Sequence, residues 1–166
     1  SKASRVLRDQ TLSLAEKYPF ARALVNSGRL SVPANLTETD LSTPDEEKFD
    51  CIMAPGSPAV DAPLSANGHE DWCLRKLKGE FTAVAYEPNG LNLPPTIDVG
   101  GISVSVKPVG TGLSLEDAKG VIRTRYDMKP GTAYLFRPDQ HVAARWRSWP
   151  GARFEESVER ATGRRL

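Results

Sequence analysis

The stretch at 117–146 constrains the fold of this chain more than any other, because it orders a helix, a tight turn and two strands. Its first part places apolar residues at spacings of three and four, which predicts an amphipathic helix capped by Ser114 or Asp117. Pro130 and Gly131 end that helix, because proline cannot continue the hydrogen-bond ladder and glycine turns without a Cβ clash. The apolar face of the predicted helix consists of Leu115, Ala118, Ile122 and Tyr126.

Two antiparallel strands are expected after the Pro-Gly turn. Thr132 to Phe136 is rich in β-branched and aromatic residues, which favours a buried strand. The segment 137–140 has proline at its second position, which is typical of a type I turn, and Val142 to Trp146 then returns. A helix followed by such a hairpin is the second half of a thioredoxin-like fold. We therefore predict the α/β class, with a mixed sheet flanked by helices.

Two earlier strands and a closing helix complete this prediction. Gly79 to Tyr86 is expected to be a strand, and Ile102 to Val106 alternates, with its apolar residues inward and Ser103 and Ser105 outward. Parallel neighbours need a long connection, and a thioredoxin-like fold normally places a helix there. Here the connection holds three prolines and three glycines, so it cannot be a regular helix. A final helix is expected over Gly151 to Ala161, with an apolar stripe formed by Phe154, Val158 and Ala161.

The chain before these strands is expected to form a helical extension and an extended arm. A helix is predicted over 4–17, and Tyr18, which precedes a proline, should break it before a short helix over 20–26. Their apolar residues either pack on the following domain or belong to a preceding one. We predict three parts: a helical tail at 1–30, a connecting arm at 31–55 and a thioredoxin-like domain at 56–166. Asp71 to Leu77 is expected to form a helical turn, with Trp72 and Leu77 facing inward.

Thiol chemistry is not expected of this chain. A thioredoxin-like oxidoreductase needs Cys-x-x-Cys after its first strand, where a helix N-terminus lowers the thiol pKa. The corresponding residues are Glu87-Pro88-Asn89-Gly90, and Gly131 stands where such enzymes have a cis-proline. Cys51 and Cys73 lie elsewhere, without a nearby second cysteine, and are expected to be inert.

Composition excludes several other function classes. The net charge of +1 provides no field for nucleic acid, and no apolar run has the length of a membrane span. His69 and His141 have no neighbours spaced as metal ligands, so no metal site is predicted. A G-x-G-x-x-G motif, the usual cradle for a dinucleotide, is also lacking, and we predict no catalytic or cofactor-binding residues. Two distant cysteines favour a cytoplasmic location.

The strings that carry these elements resemble the C-terminal region of the FAD-dependent aromatic-ring monooxygenases, the family of the phenol, chlorophenol, resorcinol and hydroxyphenylpropionate hydroxylases. The most specific string is RYDMKPGTAYLFRPDQHVAARW at 125–146. YPFARALVNSGRLSVP at 18–33, APGSPAVDAPL at 54–64 and LKGEFTAVAY at 77–86 occur in the same order. That family carries a thioredoxin-like domain after its FAD and substrate domains.

The resemblance implies a structural role in a larger enzyme. The parent enzyme would use FAD, NAD(P)H and O₂ to hydroxylate a phenolic ring, and this chain would be inactive alone. Its partners would be the upstream FAD and substrate domain, of which 1–30 would be the tail, and a second subunit. The residues expected to form the interface, exposed on the hairpin, are Arg137, Pro138, Asp139, Gln140, His141 and Arg145. The alternative is a stand-alone, redox-inactive thioredoxin-like module that binds a protein partner.

Overall fold

The computed structural model of the chain describes residues 2–21, 33–77, 79–88 and 90–164. Two compact units are present, Ser1–Pro33 and Ala34–Leu166. Among the described residues, no helix combines the length and the apolar character that crossing a membrane requires.

The first unit contains helix α1, which spans Lys2–Lys17 and confirms the helix predicted over 4–17. The Tyr18 backbone N–H still donates to Leu14 O at 2.9 Å, and Tyr18 is the non-helical residue before Pro19, where the break was expected. Most of the short helix predicted over 20–26 lies outside the described residues. Several large apolar side chains of this unit are exposed: Val6, Leu7, Leu12, Leu14, Tyr18 and Phe20.

The second unit contains eight strands and three short helices among its described residues. In chain order they are β1 (Pro63–Ala66), β2 (His69–Trp72), α2 (Cys73–Lys76), β3 (Phe81–Tyr86), β4 (Thr96–Val99), β5 (Ile102–Val109), β6 (Leu115–Glu116), α3 (Val121–Arg125), β7 (Ala133–Phe136), β8 (Val142–Trp146) and α4 (Ala152–Ala161).

The main sheet has five strands in the order β4-β5-β3-β7-β8, and a second sheet has the order β2-β1-β6. Strands β3 and β5 are parallel, whereas all other neighbours in the main sheet are antiparallel. The hairpin β7–β8 and the closing helix α4 follow as predicted. A mixed sheet flanked by helices, with a helical N-terminal segment, confirms the predicted fold class.

The helix predicted to begin at Ser114 or Asp117 and to end at Pro130 is shorter than expected. Leu115 pairs with Ala66 as part of β6, and α3 occupies only Val121–Arg125. The Asp117 carboxylate accepts the backbone N–H groups of Ile122 at 3.2 Å and Arg123 at 2.9 Å. Asp117 therefore satisfies the free amides at the start of the helix, as a capping residue does.

Three other expectations are corrected by the sheet. The proline-rich connection between β3 and β5 has no helix in its described residues, as expected, but it contains the unpredicted edge strand β4. Ser105 is buried rather than outward, because β5 lies between β3 and β4 and Ser105 pairs with Thr82 and Thr96. The inward position predicted for Leu77 is confirmed, but Trp72 is 42% exposed at the end of β2.

The core consists of two apolar clusters, one on each face of the main sheet. The larger contains the aromatic residues Tyr126, Tyr134 and Phe136, which contact one another edge-on or stacked at 5.4–6.0 Å between centroids. Helix α4 covers the other face with Phe154, Val158 and Ala161, which is the apolar stripe expected for it. Aromatic side chains bury large apolar areas, so these clusters supply most of the driving force for folding.

The connecting arm runs along β8. The Thr43 N–H donates to Ala143 O at 2.8 Å, and the Gly56 N–H just beyond the arm donates to Val142 O at 2.7 Å. Gly56 has a φ of +88°, and a Cβ at this position would lie 2.3 Å from Leu36 O. Only glycine therefore fits where the two ends of the arm cross.

Candidate functional site

The end of β3, where a thioredoxin-like oxidoreductase would have its Cys-x-x-Cys motif, has no cysteine. Glu87 follows Tyr86 there, and its backbone N–H donates to Val109 O at 2.7 Å. Cys73 is buried at the start of α2. Burial, with a smaller contribution from the carboxylates of Asp61 and Asp117, raises the pKa of the Cys73 thiol to about 12. A thiol with that pKa is not a nucleophile at neutral pH.

Cys51 lies on the arm and contacts the hairpin. Its Sγ lies 3.6 Å from the Tyr134 hydroxyl and accepts a hydrogen bond from Arg145 Nη1 at 3.3 Å. The Tyr134 hydroxyl in turn donates to Tyr126 O at 2.6 Å. Both cysteines are free thiols, and the described residues contain no group of His, Cys, Asp or Glu side chains placed to hold a metal ion.

The turn between β7 and β8 brings three of the predicted interface residues together. The Arg137 N–H donates to His141 O at 2.8 Å, which closes the turn, and Arg137 Nη2 pairs with the Asp139 carboxylate at 2.7 Å. Pro138 is exposed at the tip. Gln140 adopts a φ of +67°, and its Nε2 donates to Leu74 O at 3.2 Å, so its side chain points back to α2.

His141 is buried, so the exposure expected for it is wrong. Its Nε2 lies 2.8 Å from Ala34 O, and because a carbonyl only accepts, we assign the hydrogen to Nε2. Its Nδ1 faces the Asp139 carboxylate at 3.3 Å. Burial alone would raise the pKa of Asp139, but the His141 backbone N–H and the charge of Arg137 lower it overall. His141 thus joins the turn to the start of the arm.

Arg145 is also buried, again contrary to the exposure predicted for it. Its Nε and Nη2 donate to the two carboxylate oxygens of Asp45 at 2.8 and 2.6 Å, a bidentate pair. Its guanidinium carbon lies 4.3 Å from the centre of the Phe49 ring. Although burial would lower the pKa of Arg145, its hydrogen bonds with Asp45 and the nearby Tyr134 hydroxyl raise it above the ordinary value.

A second arginine, which sequence reasoning missed, completes this contact. Arg147 Nη2 donates to Lys48 O at 2.7 Å and forms an ion pair with Asp127. Its guanidinium lies 3.7 Å from the centre of the Phe49 ring, and its backbone N–H donates to Glu47 at 2.8 Å. Arg145 and Arg147 therefore both contact the Phe49 ring, as cations do on an aromatic face.

A signal for this contact was present in the sequence. The acidic run at 45–47 is followed by Phe49, and the basic run RWR at 145–147 lies at the end of the predicted hairpin. Opposite charges favour a pairing, but a pairing over this sequence separation requires the tertiary fold to be known. The arrangement places no nucleophile, base or metal ligand in an open cleft. It attaches the arm to the sheet.

Comparisons with known proteins show where this fold has been seen before. No family description and no curated protein matches the sequence. Among solved structures, aklavinone-11 hydroxylase in a ternary complex with FAD and aklavinone aligns with 76% of this chain at 20% identity and a TM-score of 0.63. The flavin-dependent monooxygenase PieE, in complex with FAD and substrate, aligns with 76% at 22% identity and a TM-score of 0.59. RebC-10x aligns with 76% at 17% identity and a TM-score of 0.50.

The alignments cover most of this chain but only a small part of each solved chain. They cover only 26%, 25% and 23% of the respective solved chains, so this chain spans about a quarter of their length. At such identities the likeness concerns the fold. This chain therefore has a fold that also occurs as one part of larger flavin-dependent enzymes.

Proposed function

We propose that this chain is the C-terminal, structural domain of an FAD-dependent aromatic-ring monooxygenase, preceded by the helical tail of that enzyme's FAD and substrate domain. The parent enzyme would use NAD(P)H and O₂ to hydroxylate a phenolic ring. The observation that supports this most is the common fold over 76% of this chain, against only 26% of a hydroxylase that holds FAD and an aromatic substrate. The region before the shared fold is where the flavin machinery would lie.

The chemistry of the described residues supports a structural role. Glu87 stands where a thioredoxin-like oxidoreductase has the first cysteine of its Cys-x-x-Cys motif. Burial raises the pKa of the Cys73 thiol to about 12. Two buried side chains of the hairpin hold the arm, Arg145 through Asp45 and His141 through Ala34 O. Hydrogen bonds of this kind rigidify a fold.

The same contacts support a revised picture of the interface. Of the six hairpin residues, Pro138 and Asp139 are exposed, and Arg137 and Gln140 are half-buried. A partner domain or second subunit would therefore meet the tip of the turn. His141 and Arg145 would act indirectly, by fixing the arm and the turn in position.

The coding sequence upstream of Ser1 tests the proposal directly. We expect an in-frame region with a G-x-G-x-x-G motif that opens a βαβ unit, the fingerprint of an FAD site. The complete reading frame, when expressed, should purify with the visible absorbance of bound flavin. A start codon close to Ser1, with no such region before it, would establish the alternative of a stand-alone module.

The purified chain provides the matched control. We expect it to be colourless after incubation with FAD and gel filtration, because no phosphate-binding glycine loop is present in its sequence. Retained flavin in the isolated chain would contradict the assignment of the FAD site to the upstream region. Expression of the reading frame with and without 34–166 would then measure what this domain contributes to flavin content and to subunit association.

A further inference from the structure

An open groove of about 510 Å³ lies where β3 and β5 end. Its described lining combines the residue after β3, the connection toward β4 and the turn after β5. Carboxyl ends of parallel strands commonly border ligand sites, because the connections on either side diverge there. The apolar residues that line it are Pro88, Leu91, Leu93, Pro108 and Leu113.

Glu87 occupies the floor of this groove in a strained conformation. Its φ is +41°, a left-handed value that costs a non-glycine residue about 1 kcal/mol. The backbone holds it there, because its N–H donates to Val109 O at 2.7 Å and its carbonyl accepts the Gly131 N–H at 3.2 Å. The strain is therefore imposed by the ends of two strands and directs the Glu87 side chain over Gly110.

Gly110 makes room for that side chain. A Cβ at Gly110 would lie 3.0 Å from Glu87 Cγ and 3.3 Å from Leu113 Cδ1, and Gly110 does not have a positive φ. Glycine is therefore needed at this position because Glu87 and Leu113 pack against it, and not because of its backbone conformation. Its absence of a side chain keeps the floor of the groove open.

The groove has one charge and an apolar rim. Glu87 is the only charged residue among the described residues that line it, and no hydrogen bond or ion pair of its carboxylate occurs within the described part of the chain. Leu91 and Leu113 are 46% and 38% exposed. An available carboxylate between exposed aliphatic side chains is complementary to a cation carried on an apolar support.

We propose that this groove binds a protein segment that presents a lysine or arginine between aliphatic side chains. The Glu87 carboxylate receives the cation, and Leu91 and Leu113 cover the aliphatic neighbours. The stem of a lysine or arginine is itself apolar, so it can lie along the leucines while its head reaches the carboxylate. The proposal is independent of the flavoenzyme assignment, because it rests on this groove alone.

Three short peptides test the chemistry on the complete chain. The probes are acetyl-Leu-Lys-Leu-amide, its Leu-Gln-Leu analogue and its Leu-Glu-Leu analogue, titrated into the ¹⁵N-labelled chain while amide shifts are recorded. We expect saturable shifts at the amides of Gly110, Gly112 and Leu113 with the lysine peptide. The glutamine peptide should bind about three-fold more weakly, the scale of a partly exposed ion pair, and the glutamate peptide more weakly still.

Variants distinguish the carboxylate from its surroundings. Glu87→Gln should abolish the preference for lysine over glutamine, whereas the matched control Glu80→Gln, at the opposite end of β3, should leave it unchanged. Leu113→Ser should weaken the binding of all three peptides to a similar extent. Gly110→Ala should displace the Glu87 side chain and reduce the preference for lysine, while the amide spectrum outside the groove shows that the fold is intact.

Two outcomes overturn the proposal. Equal affinity for the three peptides in the unaltered chain would show that Glu87 does not select a cation. Shifts located away from Gly110 and Leu113, or no shifts at millimolar peptide, would show that this groove does not take such a segment. Neither result bears on the upstream FAD region, so failure here is distinguishable from failure of the proposed function.

Discussion

Asp45 and Arg145 are one hundred residues apart and are joined by two hydrogen bonds of 2.8 and 2.6 Å between carboxylate and guanidinium. The side chain of Arg145 is 5% exposed, whereas that of Asp45 is 29% exposed. The arm thus supplies the counter-charge for a cation that the sheet buries. A buried charge without its partner is costly, so this pair links the position of the arm to the stability of the whole domain.

Replacing Asp45 by alanine is expected to destabilise the domain by about 2 kcal/mol. Loss of one partner of a fully buried pair costs about 3–5 kcal/mol, and the partial exposure of Asp45 reduces this figure. Urea unfolding of the chain should show a lower midpoint with an unchanged slope. The matched control is Glu46→Ala, since Glu46 pairs with Arg153 at 66% and 46% exposure and should cost about 0.5 kcal/mol or less. Equal losses in the two variants would contradict the role given to Arg145.

Gly56→Ala and Gly68→Ala are expected to differ strongly, although both glycines have positive φ. At Gly56 the new Cβ would lie 2.3 Å from Leu36 O, so backbone must move, and we expect a loss of about 3 kcal/mol or more. At Gly68 no atom lies within 4 Å, so only the left-handed conformation is penalised, at about 1 kcal/mol. Thermal unfolding of the two variants measures the difference. Similar melting temperatures would show that the crossing of the arm at Gly56 is not close-packed.

The domain is expected to lose stability as the pH falls below about 4. The pKa of Asp127 is lowered from 3.8, first by the Asp50 backbone N–H and then by Arg147. Because the folded-state pKa is below the unfolded value, the unfolded chain binds the proton first. The contribution is therefore complete above the unfolded pKa and is lost as the pH falls through the folded one. Asp71 and Asp139 have pKa values lowered in the same direction and add to the effect.

Asp127→Asn separates this contribution from the others. Asparagine tolerates the φ of +47° at this position and can still accept the Asp50 N–H, but it has no charge to titrate. In acid, the slope of the unfolding free energy against pH should become smaller. The decrease should correspond to less than one proton bound on unfolding, because only one carboxylate is removed. Asp40→Asn, an exposed arm position, is the matched control for the loss of one carboxylate. A steeper limb in Asp127→Asn would reverse the sign of the argument.

Cys73 is expected to resist thiol reagents in the folded chain. With its pKa raised to about 12 by burial, from 9.0, the thiolate population near pH 8 is about a thousand-fold below that of an unperturbed thiol. In a Cys51→Ser variant, Ellman's reagent should therefore report no fast reaction without denaturant and one thiol in guanidinium. Rapid reaction of Cys73 in the folded state would reopen the thiol oxidoreductase that the sequence argues against.

Local patterns in the sequence predicted the elements that local chemistry determines. The hairpin at 132–146 was predicted because its β-branched and aromatic residues flank a proline turn, and β7 and β8 lie within that range. Helix α4 was predicted from the spacing of Phe154, Val158 and Ala161, all of which are buried. In both cases burial and spacing act on residues that are neighbours in the chain.

What could not be predicted depends on distant partners. Strand β4 forms in a segment rich in proline and glycine because Ile97 pairs with Val104 across the turn at Gly100 and Gly101. His141 and Arg145 were expected outside because they follow a turn, but the arm covers both, through contacts between residues that are 107 and 100 apart in sequence. No short-range signal predicts which segment will cover a strand.

The arm also determines where the main sheet is open to other chains. Along the outer side of β8, the carbonyls of Val142 and Ala143 and the Val142 N–H already bond to residues of 43–57. A foreign strand could not add there without first displacing the arm, so fibril growth through this side is blocked. The other edge of the main sheet is β4, where Pro95 lacks an amide hydrogen and Asp98 is exposed. The arm therefore closes this edge of the main sheet as well as anchoring its hairpin.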